Sequence, residues 1–212
     1  MKRHHLRVLA AAVTLPLTLV VLSPAATADH KAKPVPRSCV PPVALTETQA
    51  ADLSFTRDEE RMALDLYTLF ADTWELSGRG VGRDSVTIFS NISDSELTHT
   101  TTVLAKLKDY CLPDPAWHMD DGEYIEEHAA IQQLYDGWEA DGLVSLAGAL
   151  QVGIELEQKD IEDLEALIAK DNPADIEQVY VNLCEGSLSH WAAFSEVAGE
   201  DAPEVENRCL AD

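Results

Sequence analysis

The sequence predicts an all-α protein, an antiparallel four-helix bundle with one long crossover that carries a short extra helix. Two observations carry this. Four long stretches place apolar residues three and four positions apart, the spacing of one helix face. The breaks between them are rich in Gly or Pro, and no stretch shows the period-two alternation of a strand.

The first helical pattern opens after Leu45. Thr46 with Gln49 three residues on forms a capping box. The pattern runs to about Ser77 on the stripe Leu53, Thr56, Ala63, Tyr67, Phe70 and Trp74, with Glu60 inside it. SGRGVGRDS, residues 77–85, interrupts it. The second pattern runs from Asp84 or Ser85 to about Tyr110, on Phe89, Ile92, Val103, Leu107 and Tyr110. Glu96 and His99 fill the middle of that stripe. The crossover follows, and EYIEEHAAIQQLYDGWEADG within it reads as the shorter helix ending near Gly142. The third main helix is expected over Leu143 to Lys170, on Leu146, Leu150, Ile154, Ile161, Leu164 and Ile168, with Glu157 among them. Asp171-Asn172-Pro173 stops it, and Pro173 opens the fourth helix, where proline is tolerated in the first turn. That helix is expected over Ala174 to Gly199, with His190 in its stripe.

The ends differ in character from this core of residues 45–199. Residues 1–28 read as a signal peptide: Lys2, Arg3 and Arg7, then an apolar run, then Ala26-Thr27-Ala28, with the cut expected after Ala28. A Pro-rich extended lead-in, 29–44, follows, and 200–212 form an acidic tail. The chain is therefore expected outside the cytoplasm, with no membrane attachment once the leader is removed. Cleavage would leave 12 basic against 38 acidic residues, a net charge of −26. Such a surface repels nucleic acid and anionic membranes and attracts cations. Four cysteines in an exported chain suggest two disulfides, and four cysteines allow three pairings. In this topology the second helix ends where the first begins, which favours Cys39 with Cys111. Cys184 with Cys209 then follows if the tail folds back; the alternative is a free, buried Cys184.

Each of the four stripes is interrupted by acid or imidazole: Glu60, Glu96 with His99, Glu157, and His190. An unpaired carboxylate buried in a bundle core costs several kcal/mol or takes up a proton. Four such interruptions at one level make sense together if cations sit between them. Carboxylates with imidazoles suit iron, manganese or zinc. Glu59 is expected to be the solvated neighbour of Glu60. His118 and His128 are expected on the surface, Tyr67 in the core beside a ligand, and the four tryptophans in packing roles.

The order of these motifs resembles the ferritin-like superfamily of carboxylate-bridged two-metal bundles, rubrerythrin-like members in particular. Glu60-x-x-Ala63-x-x-x-Tyr67 is similar to the first-helix motif and Glu96-x-x-His99 to the second; Glu157 and His190 stand where the third-helix Glu and fourth-helix His belong. EERMALDLY, ISDSELTH, VGIELEQKDIEDL and a Gly-Ser-x-x-His helix resemble more closely an uncharacterised domain family within that superfamily. The resemblance implies a di-iron centre that oxidises or detoxifies iron, oxygen or peroxide. One departure stands out: three residues before His190 the superfamily pattern has a Glu, and this chain has Ser187. Asp160, three after Glu157, is the candidate replacement. No rubredoxin-like Cys-x-x-Cys pair is present, and nothing specifies a ferritin cage, while a homodimer is left open. Two alternatives remain: a non-catalytic protein that holds or buffers metal outside the cell, and a metal-free helical interaction module.

Overall fold

A computed structural model describes residues 38–76, 87–201 and 208–210. The leader, most of the lead-in, the segment 77–85 and most of the acidic tail lie outside the described residues. Among the described residues the protein is all-helical. The α-helices are α1 (Glu47–Phe70), α2 (Ile88–Asp109), α3 (Ala129–Gly142), α4 (Leu146–Ile168) and α5 (Ala174–Ala198).

The start of α1 follows the local chemistry. The Gln49 amide N–H donates to the Thr46 hydroxyl at 3.2 Å, and Gln49 Oε1 accepts from the Thr46 amide at 2.8 Å. Its end departs from expectation: regular α-helix stops at Phe70, and Ala71–Leu76 continue as a π-helical segment. That change of pitch aims Glu75 at the next helix. Its carboxylate accepts from the Phe89 and Ser90 amides at 2.7 and 3.3 Å, so α2 is capped from outside its own start. The third main helix begins at Leu146 rather than Leu143 because the Ser145 hydroxyl accepts from the Gly148 amide at 3.0 Å. Helix α5 ends on Gly199 in the left-handed region, φ +76°.

The long helices pair through contacts whose residue numbers run in opposite directions. Phe70 meets Phe89 and His99 meets Glu60 between α1 and α2; Gly153 meets Phe194 and Asp160 meets Ser187 between α4 and α5. Tyr110 with Asp175 and Ser95 with His190 join α2 to α5, and Tyr67 with Glu157 joins α1 to α4. The apolar interior forms two clusters. One gathers Tyr67, Phe70, Phe89, Ile92, Ile154 and Phe194; the other gathers Leu53, Val103, Leu107, Ile161, Leu164, Tyr180 and Leu183. The predicted polar residues lie between them.

Helix α1 is buried continuously from Thr56 to Ala63, on its outer face as well as its inner one. The crossover covers the outer face. Asp65 accepts from the Gly122 amide at 2.9 Å and from the Tyr124 hydroxyl at 3.0 Å, and Arg61 donates to the Glu123 carbonyl at 2.8 Å. Asp58 takes His128 Nδ1 at 2.8 Å, and Arg57 pairs with Asp114 at 3.4 Å. His128 is therefore buried, not a surface residue as the sequence suggested, because Asp58 satisfies its ring. Glu59 is also buried rather than solvated, because α4 packs over it with Lys159 at 3.9 Å. His118 is exposed. Two disulfides join Cys39 to Cys111 and Cys184 to Cys209, and no cysteine is free. The Arg208 guanidinium lies over the Trp191 ring and pairs with Glu165 at 2.7 Å, which seats the Cys209 segment.

Candidate metal centre

Four helices deliver the polar layer. Glu60 comes from α1, Glu96 and His99 from α2, Glu157 and Asp160 from α4, and His190 from α5. The three-residue step between Glu96 and His99, and between Glu157 and Asp160, keeps both members of each pair on one face. Five of the six meet one another across the interior, and Asp160 meets Ser187 of α5. His99 Nδ1 is 3.2 Å from Glu60 Oε2 and 3.1 Å from Glu96 Oε2. His190 Nδ1 is 2.7 Å from Glu96 Oε1 and 3.5 Å from Glu157 Oε1. The two imidazoles stack, with centroids 5.3 Å apart. Glu96, His99 and His190 each offer one ligand atom within 4.8 Å of the others.

These are short distances without matching hydrogen bonds. Each Nδ1 faces two carboxylates at ion-pair distance but off the hydrogen-bond direction, and the buried Glu60 Oε1 has no hydrogen-bond partner. A buried polar atom without a partner costs about 1–3 kcal/mol. Glu96, His99 and His190, whose ligand atoms lie within 4.8 Å of one another, fit a cation that would take their lone pairs. The donor set of carboxylate oxygens and imidazole nitrogens suits first-row transition metals.

The surrounding residues fix the donors' orientations. The Tyr67 hydroxyl donates to Glu157 Oε1 at 2.6 Å. His190 Nε2 meets the Ser95 hydroxyl at 3.0 Å, leaving Nδ1 to face inward. Ser187, which stands where the resemblance implied a carboxylate, donates to Asp160 Oδ2 at 2.6 Å and so turns Asp160 toward α5. Gly186 explains the residue before it: a Cβ there would sit 2.6 Å from His99 Cε1 and Nε2. The Gly-Ser-x-x-His run thus admits one imidazole, orients one carboxylate and supplies the second imidazole. Ser95 and Gly186 stand in motifs the sequence singled out, but their roles were not legible there because they act across helices, where spacing within one helix carries no signal. Replacing Tyr67 with Phe is expected to cost about 1–2 kcal/mol, read by denaturant unfolding, because Glu157 loses its one neutral donor.

The carboxylates and imidazoles set one another's protonation. Burial pushes Glu96 up, but contact with His190 and His99 outweighs it and holds the acid at about 2. Burial lowers both imidazoles, yet the facing carboxylates raise His99 to about 11 and His190 to about 10. Glu60 is pushed up to about 7, chiefly by burial, with His99 opposing. Burial also raises Glu157, and raises Asp160 well above the carboxylate range, the latter helped by the charges of Glu60 and Glu157. Metal-free, the layer is a set of protonated imidazoles and partly protonated acids.

Residues 49–211 match the family described as "Uncharacterized protein domain (DUF2202)". The chain is 34% identical over 157 residues to "Uncharacterized protein MJ0754" of Methanocaldococcus jannaschii, covering 74% of this chain and 78% of that protein. The crystal structure of hypothetical protein MJ0754 superposes with a TM-score of 0.67 at 33% identity, covering 76% of this chain and 86% of that one. With the family matched over most of its length and a relative this similar, the chain belongs to the DUF2202 family.

Proposed function

We propose that this is an exported ferritin-like helical bundle that holds a transition-metal pair, iron first and manganese or zinc as alternatives, in its interior. Glu60, Glu96 and Glu157 would be the carboxylate ligands and His99 and His190 the nitrogen ligands, with Asp160 as a further carboxylate. The single observation that carries the reading is that Glu96, His99 and His190 each bring a ligand atom within 4.8 Å of the others. A bound iron pair would supply redox chemistry toward oxygen, peroxide or ferrous iron. The chain's own contribution would be to orient the donors through Tyr67, Ser95 and Ser187, and to keep bulk water out with the two apolar clusters. Two disulfides support export, and no helix among the described residues is long and apolar enough to cross a membrane.

A second reading, a protein that stores or buffers metal without turnover, is favoured by Ser187, which leaves the layer one carboxylate short of the two-metal pattern. Elemental analysis of protein purified without chelator or affinity tag separates the readings. The expected result is about two metals per chain, lost in Glu96→Ala/His99→Ala. Metal binding without oxygen or peroxide reactivity would leave the buffering reading. No metal in either protein, after iron, manganese and zinc are offered, would reduce the layer to a buried polar network in an interaction module.

A further inference from the structure

The long helices form two close pairs, α1 with α2 and α4 with α5, which leave two seams, α1/α4 and α2/α5. The first is closed at the level of the polar layer. The Tyr67 hydroxyl reaches across it to Glu157, and Lys159 stands on its outer side with Glu59 and Asp163. The void that Glu59 and Lys159 border there, about 10 Å³, has room for about one water. The second seam is different. His99 and His190 lie along it with side chains 12 and 10% exposed, against 1–3% for Glu60, Glu96 and Glu157. His99 spans the depth of the seam: Nδ1 is at Glu60 and Glu96, and its Cε1–Nε2 edge lies against the half-buried Gly186. The three atoms nearest to where a Cβ of Gly186 would stand all belong to the His99 ring. Side-chain bonds tie the seam on either side of this point, Ser95 to His190 on one and Lys106 and Tyr110 to Asp175 on the other. Between them the Thr102 and Ser189 hydroxyls donate to carbonyls of their own helices, those of Thr98 and Glu185, at 2.8 and 3.0 Å.

We propose that divalent metal reaches the interior layer through the α2/α5 seam, and that His99 is the ligand that swings aside to admit it. The proposal rests on the metal-binding reading above. One residue makes the connection from solvent to the deepest acid, since the partly exposed His99 ring itself touches Glu60. The two imidazoles differ in what holds their outer nitrogen. Ser95 meets His190 Nε2 at 3.0 Å, whereas Gly186 offers His99 no side chain at all. Rotation about χ1 of His99 can therefore carry the ring edge through the space where a Cβ would stand, from one staggered position to another. Turned outward, the ring uncovers Glu60 and Glu96, which take the arriving cation. Turned back, Nδ1 completes the ligand set around it. Glycine at 186 thus serves motion as well as fit.

Cobalt(II) absorbance in a stopped-flow instrument follows loading directly, with cobalt as the probe metal. Thr102 and Ser189 stand three residues after His99 and Gly186, on the same helix faces, and neither is a proposed ligand. Both are at least partly exposed, so a larger side chain fits without disturbing the core. Thr102→Phe and Ser189→Phe, which lay a ring over the seam, are each expected to slow loading roughly 10-fold and to reach the wild-type plateau. Lys159→Ala, on the opposite seam, is expected to load at the wild-type rate. Wild-type rates in both phenylalanine variants, or a change confined to Lys159→Ala, would overturn the path while leaving the metal site intact. The motion has its own readout in proton NMR of the metal-free protein. There the ring resonances of His99 are expected to be exchange-broadened and those of His190 sharp, and bound zinc is expected to sharpen His99. Equally sharp rings without metal would overturn His99 as the moving ligand. Absence of any cobalt spectrum in the wild type would overturn the path and the metal-binding reading together.

Discussion

Stripped of metal, the protein is expected to melt highest near pH 4.5–5 and to lose roughly 5–10 °C by pH 8, at about 2–4 °C per kcal/mol for a chain of this size. The sign follows from which state holds more protons. Glu60 keeps its proton in the folded state up to about 7, while in the unfolded chain it releases it near 4.5, so stability falls as pH rises between those values. The raised acids Glu157 and Asp160 act in the same direction. The stabilisation from His99 and His190 is complete below 6.5 and is lost as pH rises toward about 11 and 10 respectively. Glu96, held near 2, works the other way: its contribution is present above 4.5 and is lost only as pH falls through about 2. Repulsion within the acidic surface also grows with pH, so the comparison that isolates the interior layer is melting with and without metal. A bound cation displaces the same protons, and its affinity therefore rises with pH. Saturating iron, manganese or zinc should flatten the decline or reverse it. Metal-free and metal-treated curves that superpose from pH 5 to pH 8 would contradict a cation in this layer.

Gly186→Ala is expected to weaken metal binding about 10- to 100-fold and to destabilise the protein by about 1–3 kcal/mol, through one added methyl group. The new Cβ would lie 2.6 Å from two atoms of the His99 ring. Relief requires either that the imidazole turn away from Glu60 and Glu96 or that α5 move off α2. The first route removes a donor from the layer. The second disturbs His190 and Ser187, which stand one turn and one residue further along α5. Competition titration against a chromogenic chelator reads the affinity, and denaturant unfolding reads the stability. Unchanged affinity in a folded variant would mean that His99 does not hold metal. Gly137→Ala is the matched control, because nothing lies within 4 Å of a Cβ there.

The layout of the helices was legible because their amphipathic stripes and stop signals are local. Thr46 with Gln49, Asn172 before Pro173, and Gly199 are decisions made within a few residues, and the structure uses each near its predicted place. The end of α1 was not legible: the π-helical turn at Ala71–Leu76 lets Glu75 reach the amides of α2, a contact absent from any local pattern. Glu59 and His128 were misjudged for a related reason. Period alone places one face of a helix outward, and it cannot foresee that α4 and the crossover come back to cover that face.

By itself, the sequence determined that four apolar stripes carry Glu60, Glu96, His99, Glu157 and His190 at a common depth, because the helical repeat converts spacing into direction. Tertiary structure alone decided how those groups meet. It set which oxygen faces which ring nitrogen, gave Asp160 its partner in Ser187, made Gly186 the space for His99, and left Glu60 Oε1 without a hydrogen-bond partner. Those outcomes depend on how far apart the helices pack and how each is rotated about its axis. Both are settled by side chains distant in sequence, through close packing that no single stretch of the chain encodes.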